Sequence, residues 1–195
     1  MVPLEGRSLC FKNLFFLVEV SMRDKEKRFA YHLVPPNLRG AVLYPLNQLQ
    51  LIYPDIAAAH MTKYQGRLFL LEKPIPPLDC LWNDVLMLSP VHPTAMKAAM
   101  EEAGHFRPAR QWFEIDAALF RRDNTAIFLP GTHPSEERFL PFEPHCLAQY
   151  TQVPEAQKHF YRQVEPGKPV LLFGGIPHIL YKGSIDVTDV YVIES

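Results

Sequence analysis

The sequence predicts an α+β fold organised as a single domain. Of its 195 residues, 48% are hydrophobic and 21% are charged, a composition typical of a globular protein that buries a core. Nineteen prolines are spread along the chain and punctuate many short loops, which favours a strand-rich protein over a helix bundle. Strand-forming and helix-forming stretches follow one another in mixed order, with little sign of a doubly wound parallel sheet.

Apolar runs bounded by proline or glycine define the elements of the first half of the chain. In order, we expect a strand at 29–34, helices at 41–51 and 54–65, strands at 67–71 and 85–88, and a helix at 93–104. Pro35 stops the first strand, because proline has no N–H to donate to a neighbouring strand. Pro54 suits the first turn of its helix and Gly66 suits the end, and Pro93 repeats the pattern.

The second half of the chain ends in a predicted β-hairpin. Before it, we expect strands at 112–115 and 125–129, a polar loop at 131–144, a helix at 154–164 and a strand at 170–173. Residues 176–194 contain two runs of β-forming side chains separated by Lys182-Gly183-Ser184, which supplies a turn. A closing β-hairpin at the C-terminus is therefore predicted.

Charge and cysteine usage narrow the classes of function. The net charge of −1 provides no basic excess for binding nucleic acid, although it leaves room for a local basic patch. Three cysteines lie far apart without a CxxC pair, which fits a reducing, cytoplasmic compartment. The histidines are dispersed, so no metal site is predicted. No stretch approaches the ~18 apolar residues that a membrane span needs, and no membrane association is expected.

The N-terminus differs from the rest of the chain. Residues 14–20 are mostly apolar but too few for a signal peptide, and no small-residue cleavage site follows them. Met22 begins a charged segment that is typical of a cytosolic start. We therefore expect residues 1–21 to be an extension, disordered or not native, and residues 22–195 to form the single α+β domain.

Two polar stretches near predicted strands are candidate ligand sites. Tyr31-His32 lies in the first strand and is followed by Arg39. A neutral imidazole can donate to or accept from a ribose hydroxyl without carrying a full charge. Asn83 and Ser89 flank the strand at 85–88. The alternatives are a half-buried histidine satisfied by the backbone and, for Ser89, the N-cap region of a helix.

A third candidate stretch, with His178 and Tyr181, begins the C-terminal hairpin. Together the three stretches resemble the motifs of the ADP-ribosyltransferase-like superfamily, in the same order. Tyr31-His32 is similar to the start of its DNA-modifying toxin and RNA 2′-phosphotransferase branches, and 83–93 is similar to its middle motif. Residues 176–185 resemble the last toxin motif, Glu-Val-Leu-Val-Pro-Gly-x-Ile, with His178 standing where that family has its catalytic glutamate.

The resemblance implies an ADP-ribosyltransferase-like fold, NAD as cofactor and roles for named residues. The implied catalytic residue is His178, and the implied ligand-binding residues are His32, Arg39, Asn83, Ser89 and Tyr181. A glutamate would stabilise an oxocarbenium-like ribose as nicotinamide leaves, whereas a neutral imidazole has no negative charge to do so. In the manner of the RNA 2′-phosphotransferases, His32, Arg39 and His178 would bind a phosphate.

We therefore expect an NAD- or nucleotide-handling transferase or glycohydrolase with a degenerate catalytic motif. Its partner would be a nucleotide-type small molecule. The alternative is a catalytically inactive module that binds a nucleotide or a protein. A third hypothesis is a purely interacting protein that makes contacts through the proline-bearing loops at 74–77 and 131–144.

Overall fold

Two antiparallel β-sheets form the centre of the protein in the computed structural model, which describes residues 28–131, 133–165, 168, 170 and 172–195. Helices pack beside these sheets, so the α+β class predicted from the sequence is confirmed. The predicted extension at 1–21 lies outside the described residues.

The β-strands are short continuous segments of the chain. They are β1 (Phe29–Leu33), β2 (Val42–Leu43), β3 (Pro74–Ile75), β4 (Cys80–Leu81), β5 (Val85–Leu88), β6 (Gln111–Asp116), β7 (Thr125–Leu129), β8 (Arg138–Pro141), β9 (His178–Lys182), β10 (Ile185–Asp186) and β11 (Tyr191–Glu194). One sheet has the order β1-β6-β11 and the other has the order β5-β9-β7-β8. Two smaller pairs, β2 with β10 and β3 with β4, complete the described sheet structure.

The described residues form four α-helices, each close to a predicted helix. They are α1 (Leu46–Ile52), α2 (Pro54–Met61), α3 (Pro93–Glu102) and α4 (Glu155–Gln163). Proline occupies the first turn of α2 and α3, where its missing N–H costs no hydrogen bond. In α3 the Nδ1 atom of His92 accepts a hydrogen bond from the Thr94 N–H at 3.2 Å, which caps the helix.

A single residue pair joins the two main sheets. The Tyr31 N–H donates to the Ser89 carbonyl at 2.7 Å, and the Ser89 N–H donates to the Tyr31 carbonyl at 2.8 Å. This isolated antiparallel bridge links β1 to the chain just after β5. On one side of it, residues 32–33 of β1 and 85–87 of β5 both line a cleft. The cleft therefore lies where the two strands separate.

The space between the two sheets is filled with apolar side chains. Because successive strand residues face opposite sides of a sheet, each strand contributes alternate residues to this layer. Ala30 and Phe113 from the three-stranded sheet share one buried cluster with Leu86 and Ile179 from the four-stranded sheet. These contacts make the central core a product of both sheets.

The outer faces of the two sheets are covered by different elements. Tyr31 and Trp112 of the three-stranded sheet pack in a second cluster with Met96 of α3 and Tyr161 of α4. The outer face of the four-stranded sheet forms a third cluster with the β3–β4 segment. The protein therefore has four layers, which are the helices α3 and α4, the three-stranded sheet, the four-stranded sheet and the β3–β4 segment. Strands β1 and β5 belong to the two middle layers, and the cleft opens where they separate.

Four predicted elements differ in the structure. The helix expected at 41–51 begins only at Leu46, because Val42–Leu43 form β2, which pairs with β10. Residues 67–71 were expected to be a strand, but Leu68–Leu70 form a 3₁₀ turn with Leu68 and Phe69 exposed, because no strand lies beside them to pair with. Leu172 and Phe173 lie in a turn instead of the strand expected at 170–173. The loop expected at 131–144 contains β8, which pairs with β7.

The predicted C-terminal β-hairpin is wrong. Strand β9 pairs with β5 on one edge and with β7 on the other, so neither edge is free to pair with β11. Strand β11 instead joins β6 in the other sheet, and β10 pairs with β2. After β9 the chain crosses to the other sheet. The hydrogen bonds of β9 with β5 and β7 stabilise the fold more than a local hairpin closed at Gly183 would.

None of the helices in the described part of the chain is both long enough and apolar enough to cross a membrane.

We predict that Ser89→Ala destabilises the fold. The Ser89 hydroxyl is buried, donates to the Val91 carbonyl at 2.9 Å and accepts from the Val91 N–H at 3.0 Å. Alanine would leave that buried N–H without its acceptor, at a cost of about 1–3 kcal/mol. Each kcal/mol lowers Tm by roughly 2–4 °C in a chain of this size. Thermal unfolding measures the loss, with the exposed Ser184→Ala as matched control, and equal Tm values for the two variants would contradict the expectation.

Candidate functional site

The candidate site is the cleft between the separated ends of β1 and β5, with a volume of about 320 Å³. The turn after β1, the helices α1 and α2, and the 3₁₀ turn Thr62–Tyr64 form its other walls. Its basic lining residues are His32, Arg39, His60 and Lys63, and its aromatic lining residues are Tyr31, Tyr44, Tyr53, Tyr64, Trp82 and Phe173. The lining residues include no aspartate or glutamate within the described part of the chain.

His32 is held as a neutral ring with one free acceptor atom. Its Nδ1 lies 2.7 Å from the Leu33 carbonyl oxygen. Because a carbonyl can only accept, Nδ1 carries the proton and Nε2 keeps a lone pair. The pKa of His32 is lowered to about 4, mainly by burial; the Leu33 hydrogen bond opposes this change, and the nearby His60 and Lys63 add to it. The ring therefore offers the cleft a hydrogen-bond acceptor at neutral pH.

The end of α2 and the following 3₁₀ turn bring three further polar side chains to the cleft. His60, Lys63 and Tyr64 are spaced so that they share one face of the helical segment. Burial lowers the pKa of His60, and the positive charge of Lys63 lowers it further. Burial raises the pKa of the Tyr64 hydroxyl. This wall thus combines one exposed ammonium with two groups held neutral.

Arg39 approaches the cleft from the turn after β1 and is already paired. Its two terminal nitrogens donate to the two carboxylate oxygens of Asp55 at 3.1 and 2.5 Å. Its guanidinium carbon also lies 5.7 Å from the centre of the Tyr53 ring. The pair fastens the turn after β1 to the first turn of α2. At this position the negative carboxylate also interacts favourably with the positive, N-terminal end of the helix dipole.

Aromatic rings form the walls beyond these polar groups. Tyr44 and Tyr53 meet edge to face with ring centres 6.4 Å apart. In the 3₁₀ turn before β5, Trp82 packs edge to face against Phe128 of β7 at 5.2 Å. Phe173 packs against Trp112 at 5.7 Å. Because rings held in this way keep their orientation, they offer preformed surfaces on which a planar group can stack.

His178, the predicted catalytic residue, lies behind Phe173 and is not a lining residue of the cleft. The two ring centres are 6.2 Å apart, and Phe128 lies 5.9 Å away on another side. Nδ1 of His178 donates to the Ile176 carbonyl at 2.7 Å, so this ring too is neutral with a free Nε2. Burial lowers its pKa to about 4.

The other predicted site residues separate into two groups. His32 and Arg39 line the cleft, whereas Asn83, Ser89 and Tyr181 do not. Ser89 is 1% exposed and bonded to Val91, so the hydroxyl that was expected to meet a ligand instead holds the chain between β5 and α3. Tyr181 packs beside Phe120 at the edge of the central core.

Asn83 stands next to the cleft without lining it. It lies in the 3₁₀ turn between Trp82, a lining residue, and Asp84, which accepts a hydrogen bond from Asn47 of α1. Its Oδ1 atom is buried and has no hydrogen-bond partner among the described residues. The turn therefore anchors α1 to the start of β5 and positions the Trp82 ring.

Sequence reasoning missed the wall formed by α2. The helix at 54–65 was predicted, but its contribution of His60, Lys63 and Tyr64 to a site was not. The signal was present, because polar and aromatic residues at i, i+3 and i+4 stand on one face of a helix. Only the tertiary structure shows that this face and His32 line the same cleft.

A metal site receives no support from this cleft. Within the part of the chain that the structure describes, no three histidine, cysteine, aspartate or glutamate side chains are grouped so that they could hold a metal ion. The positive charge of Lys63 would also repel a cation. The lining favours an anionic ligand.

Comparisons of the chain with protein-family models, with curated proteins and with solved structures each returned no match. The resemblance to the ADP-ribosyltransferase-like superfamily therefore stays a prediction. The lining of the cleft is the remaining basis for a functional proposal.

We predict that the two neutral histidines make the fold acid-sensitive. Both have a pKa of about 4 when folded, against about 6.5 in an unfolded chain. Between these pH values the unfolded chain binds protons that the folded protein excludes. Above about pH 6.5 these histidines do not make the free energy of unfolding depend on pH, and it falls as the pH is lowered from there towards about 4. Urea unfolding at several pH values measures this slope.

The variant His32→Gln/His178→Gln should show a shallower slope, because glutamine does not titrate. His145→Gln, which changes an exposed histidine outside the cleft, serves as its control. An unchanged slope in the double variant would show that other groups cause the acid sensitivity.

Proposed function

We propose that this protein binds a nucleotide-type ligand in the cleft between β1 and β5. The observation that carries the proposal is the lining: basic and aromatic side chains surround the cleft, and no carboxylate faces it among the described residues. A nucleotide combines a planar base with negatively charged phosphates. Such a ligand matches both properties of the lining at once.

The two kinds of lining residue would hold different parts of the ligand. A base stacking on an aromatic ring gains about 1–3 kcal/mol without requiring a particular base. Tyr53 and Trp82 are held in fixed orientations by neighbouring rings, so they would lose little side-chain entropy on binding. The phosphates would lie towards the basic groups, where no lining carboxylate repels them.

NAD is the ligand that the family resemblance implies. In that proposal, Nε2 of His32 accepts a hydrogen bond from a ribose hydroxyl. Its neutral state supports this role, because a protonated ring would have no acceptor to offer. Phe173 also lines the cleft and offers a surface for a second planar group.

The lining favours a binding module over an enzyme that cleaves NAD. Cleavage builds positive charge on the ribose, and a carboxylate close to that carbon would stabilise it. The cleft offers none among the lining residues, and His178 is neutral and set behind Phe173. We therefore propose the catalytically inactive nucleotide-binding module as the leading function.

A phosphate-handling transferase is the second candidate. The basic lining supports it, because His32 and Arg39 are among the residues that the resemblance to RNA 2′-phosphotransferases assigns to phosphate binding. Such an enzyme would bring NAD and a 2′-phosphorylated nucleotide together in one cleft.

Ligand-induced thermal stabilisation tests the leading proposal. NAD, ADP-ribose, ATP and a 2′-phosphorylated nucleotide would be compared with adenosine. A ligand at ~100 times its Kd adds about 2.7 kcal/mol, which raises Tm by roughly 5–10 °C in a chain of this length. We expect a shift with at least one phosphorylated compound and a smaller shift with adenosine.

His32→Ala should abolish that shift, and His145→Ala should preserve it, because only His32 lines the cleft. Comparing ligand-induced shifts, instead of Tm values, separates loss of binding from loss of stability. A shift that is equal in both variants would place the ligand elsewhere, and no shift with any compound would contradict the proposal.

Nicotinamide release distinguishes the two candidates. A binding module should release none above the background of NAD in buffer, with or without a 2′-phosphorylated RNA. Release that depends on the RNA and is lost in His32→Ala would establish the transferase instead. Chromatographic detection of nicotinamide over several hours provides the measurement.

A further inference from the structure

The basic side chains of the cleft fall into two groups, which differ in whether a carboxylate neutralises them. Arg39 is neutralised, because both of its terminal nitrogens are bonded to the Asp55 carboxylate. A phosphate could use this guanidinium only by displacing or sharing a carboxylate that would repel it. Arg39 thus has little attraction left for an anion, although it lines the cleft.

The second group lies on the wall formed by α2. The charge of Lys63 acts on both His60 and His32, and His60 acts on His32, so the three side chains lie within electrostatic reach of one another. No carboxylate contributes to either histidine. Lys63 is exposed, and its ammonium group forms no ion pair or hydrogen bond with the described residues. Its positive charge remains available to a ligand.

We propose that the phosphate-bearing end of the ligand binds to Lys63 and His60, beside His32, and that Arg39 serves to fasten the turn after β1 to α2. This inference rests on the proposed function and identifies the wall that receives the phosphates. The planar base would then stack on an aromatic side chain of the lining, such as Trp82.

Phosphate binding at this wall would be coupled to proton uptake. Without ligand, His32 and His60 are neutral at physiological pH, since burial and Lys63 both lower their pKa values. The carboxylates on neighbouring elements do not face them: Asp55 binds Arg39, and Glu114 accepts from Tyr31, which lies on the opposite face of β1. A phosphate beside His60 would favour the charged form of that ring. Lower pH should therefore strengthen binding.

Calorimetric titration with ADP-ribose tests the assignment, because its pyrophosphate charge does not change between about pH 5.5 and 8. Titrations in two buffers with different ionisation enthalpies count the protons taken up. We expect uptake of up to about one proton and an affinity roughly three- to tenfold weaker at about pH 8 than at about pH 6. Binding without proton uptake would overturn the coupling.

Substitutions identify the wall that binds the phosphates. Lys63→Met should weaken ADP-ribose binding about tenfold and flatten its salt dependence. Arg39→Met should weaken binding less than Lys63→Met and should lower Tm through loss of the Asp55 pair. Lys97→Met on α3, outside the cleft lining, is the matched control for removing a lysine. A larger loss of affinity in Arg39→Met than in Lys63→Met would overturn the assignment.

A second measurement separates this inference from the proposed function. Inorganic pyrophosphate carries the charge without the nucleoside, and the Cε1–H signal of each histidine reports its pKa by NMR. We expect pyrophosphate to raise the pKa of His60 in the wild type and not in Lys63→Met. If pyrophosphate does so while no nucleotide binds, the anion site stands and the nucleotide proposal fails. If ADP-ribose binds and pyrophosphate has no effect, the nucleotide proposal stands and this assignment fails.

Discussion

The pair of backbone hydrogen bonds between Tyr31 and Ser89 is the constraint on which the rest of the structure depends. It is the point at which the two main sheets meet, and it sets the distance between β1 and β5. Beyond it the strands separate, so the free edges of both strands and the His32 side chain face a cleft instead of a second pairing partner. The buried Ser89 hydroxyl supports this junction by holding Val91, from which α3 begins two residues later.

The ionisable groups near that junction differ in charge, and each has a structural cause for its state. His32 and His178 each satisfy one nitrogen with a backbone carbonyl, so burial can hold the rings neutral without leaving a donor unpaired. The Asp55 carboxylate neutralises the charge of Arg39. Lys63 is exposed and forms no ion pair with the described residues. The cleft consequently offers a lone-pair acceptor from β1 and an unneutralised cation from the 3₁₀ turn after α2.

The sequence predicted local elements better than it predicted their pairing. The strand Thr125–Leu129 and the start of α3 at Pro93 follow from residues within a few positions, and both agree with the structure. The strand expected at 67–71 fails because β-forming side chains need a neighbouring strand, which local sequence does not show. The hairpin fails for a related reason: both edges of β9 pair with β5 and β7, which lie fifty or more residues earlier in the chain, so β9 cannot pair with β11.

The sequence by itself determined the α+β class and the helix starts at Pro54 and Pro93, and it singled out His32 and Arg39, which both line the cleft. Each of these depends on local backbone preference or on the chemistry of one side chain. Only the tertiary structure decided that Ser89 is buried, that His178 lies behind Phe173 and that α2 and the 3₁₀ turn after it supply His60 and Lys63. These facts depend on which distant strands exchange hydrogen bonds, a choice made by the free energy of the whole core and not by any one segment.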